Sequence, residues 1–156
     1  MTVKPIPDGY HSVTPYLMIK GASEAIEFYK QAFDATELFR LVAPNGAIGH
    51  AEIKIGDSSI MLADPCEQAA FRDPRSLGGS SVALHIYLED VDAQFAQAVS
   101  AGAKAVKPVQ DQFYGDRTGT LEDPFGHIWC LATHKEDLTP EEINRRAEAL
   151  FKPHNT

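Results

Sequence analysis

The chain has 156 residues, 44% of them apolar and 23% charged, with a formal net charge of -8. That length suits one domain, residues 1–156, burying roughly 70% of its unfolded surface. The acidic balance, with no basic stripe, excludes nucleic acid as a partner, and the lack of ~20 consecutive apolar residues excludes a helical membrane span. The polar start, Met1 to Tyr10, has no signal-like apolar run. Cys66 and Cys130 have neither metal-type spacing nor the number for a disulfide framework. A cytoplasmic protein is expected.

Along the chain, Thr14 to Ile19 reads as a strand that ends at Gly21. Ser23 then opens a helical pattern from Glu24 to Phe33, with Ile26, Tyr29 and Phe33 on one side. Strands are predicted over Thr36 to Val42, Gly49 to Ile55 and Ser59 to Ala63, separated by Pro44-Asn45-Gly46 and Gly56-Asp57. The stretch 66–81, rich in Gly, Pro, Ser and charge, reads as a linker and cleft rim. From Val82 the order begins again: a strand to Leu88, then a helix from Val91 to Ala101 with Asp90 as N-cap and Gly102 at its end. Ala103 to Val109, Gly119 to Glu122 and His127 to Thr133 are the remaining strands, and Asp123-Pro124-Phe125-Gly126 is a turn. Thr139-Pro140-Glu141-Glu142 has the form of a capping box opening a helix to Phe151, whose apolar side suits its own domain or a partner chain.

The two halves superimpose at an offset of 68 or 69 residues, so that Ile60-Met61-Leu62-Ala63 matches Trp129-Cys130-Leu131-Ala132. The expected fold is α+β: two βαβββ modules, residues 13–65 and 82–134, forming a concave mixed-sheet cleft, with 66–81 between them and a helical tail over 135–156.

Pro15 to Ala35, Leu88 to Ala103 and Tyr114 to Trp129 carry a further signal. Together with their spacing they resemble the vicinal oxygen chelate (glyoxalase / bleomycin resistance / dioxygenase) superfamily. The Asp123-Pro124-Phe125-Gly126-His127-x-Trp129 ending is similar to that of the PhnB-like branch. The resemblance implies paired cups in a homodimer. It also implies metal ligands at four places, which fall here on Thr14, Met61, Ala83 and Cys130. A hydroxyl, a thioether, a methyl and one thiol do not make a divalent-metal site, so no metal and no cofactor are expected.

Strand alternation and a two-residue turn at Gly56-Asp57 bring other side chains to the cleft face. Tyr16, Met18, Met61, Tyr87 and Ile128 are the expected apolar walls, with Thr14 and Cys130 beside them; His50, Glu52 and His85 are the polar groups. Arg117 has two readings, a clamp for a ligand carboxylate or a structural ion pair with Asp116 or Asp123. His127 reads as structural, Cys130 as a buried thiol, and Trp129 and Leu131 as helix-side core. The function expected first is binding of a small organic molecule without metal. The alternative is a lyase, isomerase or dioxygenase type of enzyme using His50, Glu52 and His85 as acid, base or displaced metal ligands. A purely structural or regulatory partner protein is the third reading.

Overall fold

The computed structural model describes residues 2–152; Met1 and the end of the expected tail, 153–156, lie outside them. Alternating side chains and turn residues give β1 (Tyr16–Met18), β2 (Thr36–Val42), β3 (Ile48–Ile55) and β4 (Ser58–Ala63), with α1 (Ala22–Phe33) between β1 and β2. The second half repeats this with β5 (Ala83–Tyr87), α3 (Val91–Ala101), β6 (Lys104–Asp111), β7 (Asp116–Glu122) and β8 (Ile128–His134). A short helix, α2 (Pro74–Leu77), lies within the linker, and α4 (Pro140–Phe151) ends the described chain. The sheets have the orders β1-β4-β3-β2 and β5-β8-β7-β6, each with its first pair parallel and the others antiparallel.

Each sheet has an inner face turned to the helices. Leu17, Ile53 and Leu62 of the first sheet and Leu121, Trp129 and Leu131 of the second belong to one continuous apolar core. Helix α1 is buried on several sides: Tyr29 and Phe33 pack on Trp129 of β8, while Gln94 and Gln97 of α3 donate to the carbonyls of Ala32 and Gln31. Because α1 touches both sheets, their other faces look away from the shared core. A single chain therefore carries two outward half-cups, one on each module.

The Asp123-Pro124-Phe125-Gly126 turn does more than reverse the chain. The buried Asp123 carboxylate accepts from Tyr29 Oη at 2.6 Å, Trp129 Nε1 at 2.9 Å, and the backbone N–H groups of Phe125 and His127. Four donors on one carboxylate compensate its burial, and one of them comes from the other module. Burial, with Asp123 beside it, pushes the Tyr29 hydroxyl well above the ordinary phenol range. His127 is structural: its Nε2 lies 3.1 Å from the Met18 carbonyl, again across the modules.

Several boundaries differ from the local reading for physical reasons. Helix α1 starts at Ala22 although Ser23 does not cap it; Asp64, distant in sequence, accepts from the N–H groups of Gly21 and Ala22 instead. Strand β6 runs past Pro108 because it is an edge strand, where a missing donor costs little. Helix α2 was hidden by linker composition, yet Asp73 caps it and Pro74 opens it. The Thr139 hydroxyl accepts from the Glu142 N–H, but the Glu142 carboxylate turns to Arg145 and Arg146, which hold it at about 2. Helix α4 buries no residue; Arg146 reaches the Phe113 carbonyl and Glu136, and Leu150 and Phe151 stay exposed.

Candidate functional site

On the first sheet, β1 pairs with β4 at Tyr16↔Met61, and β3 pairs with β4 at Glu52↔Met61, as the Gly56-Asp57 turn requires. Tyr16, His50, Glu52 and Met61 thus share the outer face. Their side chains form a chain of contacts: Tyr16 Oη to His50 Nδ1 at 2.8 Å, and His50 Nε2 to Glu52 Oε1 at 3.2 Å. Phe71, from the linker, stands edge-on to Tyr16 at 5.4 Å, and Phe39 of β2 lies 6.3 Å from His50. These aromatic walls frame a polar floor.

Tyr10 is the member that the sequence did not reveal. Its segment crosses this face, anchored where Ser59 Oγ donates to the Gly9 carbonyl at 3.1 Å. The Tyr10 hydroxyl is buried beside Glu52 and Ser59 without reaching hydrogen-bond geometry to either. Burial pushes this phenol up, while its proximity, together with His50, holds the Glu52 carboxyl below the usual range against the opposing effect of burial. Burial also raises the Tyr16 phenol, with Cys66 and Glu52 adding to it.

On the second sheet, Ala83↔Ile128 and His85↔Cys130 set the register, so Ala83, His85, Tyr87, Ile128 and Cys130 share its outer face. Tyr87 Oη donates to Asp116 Oδ2 at 2.8 Å, and the His85 ring leans on Tyr87 at 5.0 Å. Asp116 is 6% exposed, and its other oxygen meets His134 Nδ1 at 2.7 Å; His134 Nε2 meets Asp137 at 2.8 Å. With a carboxylate at each nitrogen, both must carry hydrogen, and Asp116 followed by Asp137 holds the His134 ring above its ordinary range. Burial works to raise the Asp116 carboxyl, but His134 and Tyr87 outweigh it and hold it low. Neither Asp116 nor His134 was singled out by the sequence as lining the cleft, because their meeting depends on the β7–β8 pairing Asp116↔His134.

The expected set therefore divides. Tyr16, His50, Glu52 and Met61 lie on one half-cup; His85, Tyr87, Ile128 and Cys130 lie on the other. Met18 is 4% exposed, beneath the surface rather than a wall. Arg117 points to the helix side, with Nε and Nη2 on Asp92 at 2.8 and 2.9 Å and Nη1 on Asp111 at 3.1 Å, not on Asp116 or Asp123. Cys130 Sγ lies 3.9 Å from Thr120 Oγ1. A groove of about 950 Å³ between the β3–β4 turn and β5 takes Thr14, His85 and Tyr87, and its lining omits His50, Glu52, Met61, Ile128 and Cys130.

At the four positions where metal ligands were implied, the side chains are Thr14, Met61, Ala83 and Cys130, a donor set that does not fit a divalent metal. Among the described residues, no three His, Cys, Asp or Glu side chains are grouped to hold one, and no helix is long and apolar enough to cross a membrane.

The uncharacterized protein Rv0887c of Mycobacterium tuberculosis is 41% identical to the chain over 135 residues, 85% of this chain and 79% of the relative. Among solved structures, TioX from Micromonospora sp. ML1 superimposes with a TM-score of 0.63 at 25% identity, covering 83% of this chain and all of that one. The PhnB protein from Bacillus cereus shares the fold, with a TM-score of 0.62 at 21% identity over 79% of this chain and 99% of its own. Residues 10–131 match the family model described as the Glyoxalase/Bleomycin resistance protein/Dioxygenase superfamily, and the chain belongs to that superfamily.

Proposed function

We propose that this protein binds a small organic molecule, without the superfamily's metal, in clefts built between two copies of the chain. Each cleft takes the outer face of the first sheet from one copy and that of the second sheet from its partner. The observation that carries this reading is the division of the site: two half-cups, each with aromatic walls and a hydrogen-bonded tyrosine, back onto one shared core. Phe39, Leu41, Phe71 and Tyr87 are between 44% and 62% exposed on or beside these faces, which suits apolar surface awaiting cover. The first and last strands of both sheets are also open edges. The Asp123 to His127 ending and the likeness to the Bacillus cereus PhnB fold support a PhnB-like assignment. Two cysteines, too few for a disulfide framework, suit the cytoplasm.

Light scattering at micromolar concentration is expected to report a dimer, and an aromatic fragment screen by thermal shift is expected to find stabilising ligands. Mixing tests the shared cleft. Tyr16→Phe and Tyr87→Phe chains, each weakened alone, restore about a quarter of full-affinity clefts when randomly paired, because half the dimers are mixed and half their clefts carry both tyrosines. A monomer, or mixtures no better than the separate variants, refutes the two-copy cleft.

A specific observation favours catalysis as the second reading: the contact chain Glu52–His50–Tyr16 has the form of an acid–base relay. Stoichiometric metal in untagged protein, lost on Glu52→Ala or His85→Ala, would favour a displaced-metal enzyme over the binding protein.

A further inference from the structure

The direction of the hydrogen bonds on the two outer faces carries more than their presence. A carboxylate only accepts, so Tyr87 spends its single phenolic proton inward on Asp116 Oδ2. Asp116 is held in that position by His134 on its other oxygen. On the first sheet, the Glu52 carboxylate accepts from His50 Nε2; in the tautomer that carries its proton there, Nδ1 is an acceptor. Tyr16 then spends its proton inward as well. Two unrelated arrangements, one ending on an imidazole and one on a carboxylate, thus leave both tyrosines in the same state. Each shows the exterior a phenolic oxygen with lone pairs and no proton to give. Tyr16 is 38% exposed and Tyr87 62% exposed, so both side chains are within reach of a ligand. Glu52 and Asp116 stand behind them, with Lys54 on the same face as Glu52 and the His134 ring on Asp116; the cation of β7, Arg117, faces the other way on Asp92 and Asp111.

We propose that Tyr16 and Tyr87 are paired hydrogen-bond acceptors that select aromatic ligands bearing N–H or O–H donors and disfavour carboxylates. This rests on the small-molecule reading above and adds the chemical class of the ligand. A donor group gains a hydrogen bond to a phenolic oxygen, whereas a carboxylate, itself only an acceptor, meets lone pairs and no proton. Substituting phenylalanine removes the acceptor but keeps the ring that covers His50 Nδ1 or Asp116 Oδ2.

The experiment is a fragment titration by ligand-observed NMR at pH 8, above the ordinary imidazole range. The probes are indole, 1-methylindole and indole-3-carboxylate, which share one ring system. Indole is expected to bind about 3- to 10-fold more tightly than 1-methylindole, as one hydrogen bond provides, and indole-3-carboxylate to bind most weakly. Tyr16→Phe and Tyr87→Phe are each expected to narrow the preference and the double variant to erase it, with unfolding curves showing that the variants stay folded. Equal binding of indole and 1-methylindole, tightest binding of the carboxylate, or a preference that survives in the double variant overturns the inference and leaves the small-molecule reading standing. Binding of none of the three overturns both.

Discussion

The two modules share a strand order but hold their helices by different means. In the first, Gly21 precedes α1 with φ 95° and offers no side-chain cap; Asp64, from beyond β4, takes the N–H groups of Gly21, Ala22 and Ile48. In the second, Asp90 caps α3 from the adjacent position, and Thr133 at the end of β8 accepts only the Val91 N–H while donating to the Leu88 carbonyl. The burial follows the same division: α1 hides seven residues, whereas α3 hides Val91 and Ala98 alone. The second module can start its helix from local sequence, while the first depends on a contact that exists only once its sheet has formed. The structure of the first module is therefore the more cooperative.

Substitutions can break that comparison, beginning with the group that joins the modules. Asp123→Ala strands the Tyr29 hydroxyl and the Trp129 N–H in the core, and we expect it to cost about 3–5 kcal/mol in denaturant unfolding. Since a domain this size has about 5–15 kcal/mol in total, the variant is expected near the edge of folding. A loss below about 1 kcal/mol would show that the modules do not depend on this link. Next, Asp64→Ala removes three backbone acceptor contacts and is expected to cost about 2–3 kcal/mol. Asp90→Ala, the loss of a local N-cap, is expected to cost about 1 kcal/mol. Equal costs would erase the asymmetry between the modules.

A comparable loss is expected where α3 presses on its sheet. A Cβ at Gly119 would sit 2.8 Å from the Phe95 ring and 2.9 Å from Val109, so Gly119→Ala should cost about 1–3 kcal/mol through overpacking. The smallest effect concerns pH. The His134 ring titrates above its ordinary range in the folded chain, so its contribution is complete below about pH 6.5 and fades as pH rises through the folded value. The melting-temperature advantage of the native protein over His134→Gln should therefore shrink from pH 6 toward pH 9. A growing advantage would show that the ring is not held between Asp116 and Asp137.

Local sequence determined the elements, because periodicity, caps and turn residues act over a few positions. The two βαβββ modules, Trp129 and Leu131 as core, and the register that sets Glu52 against Met61 were all legible in this way. That α1 would also meet the second sheet was not, because it depends on two apolar surfaces distant in the chain finding each other. The sequence gathers Tyr16, His50, His85 and Cys130 on cleft-facing positions, and the tertiary structure sets the first two on the outer face of the first sheet and the other two on that of the second. The same reason hid Tyr10 over Glu52, Asp116 against His134, and the role of Asp123 beyond its turn. Each is a polar group whose partner is chosen by packing between elements, where neither periodicity nor propensity speaks.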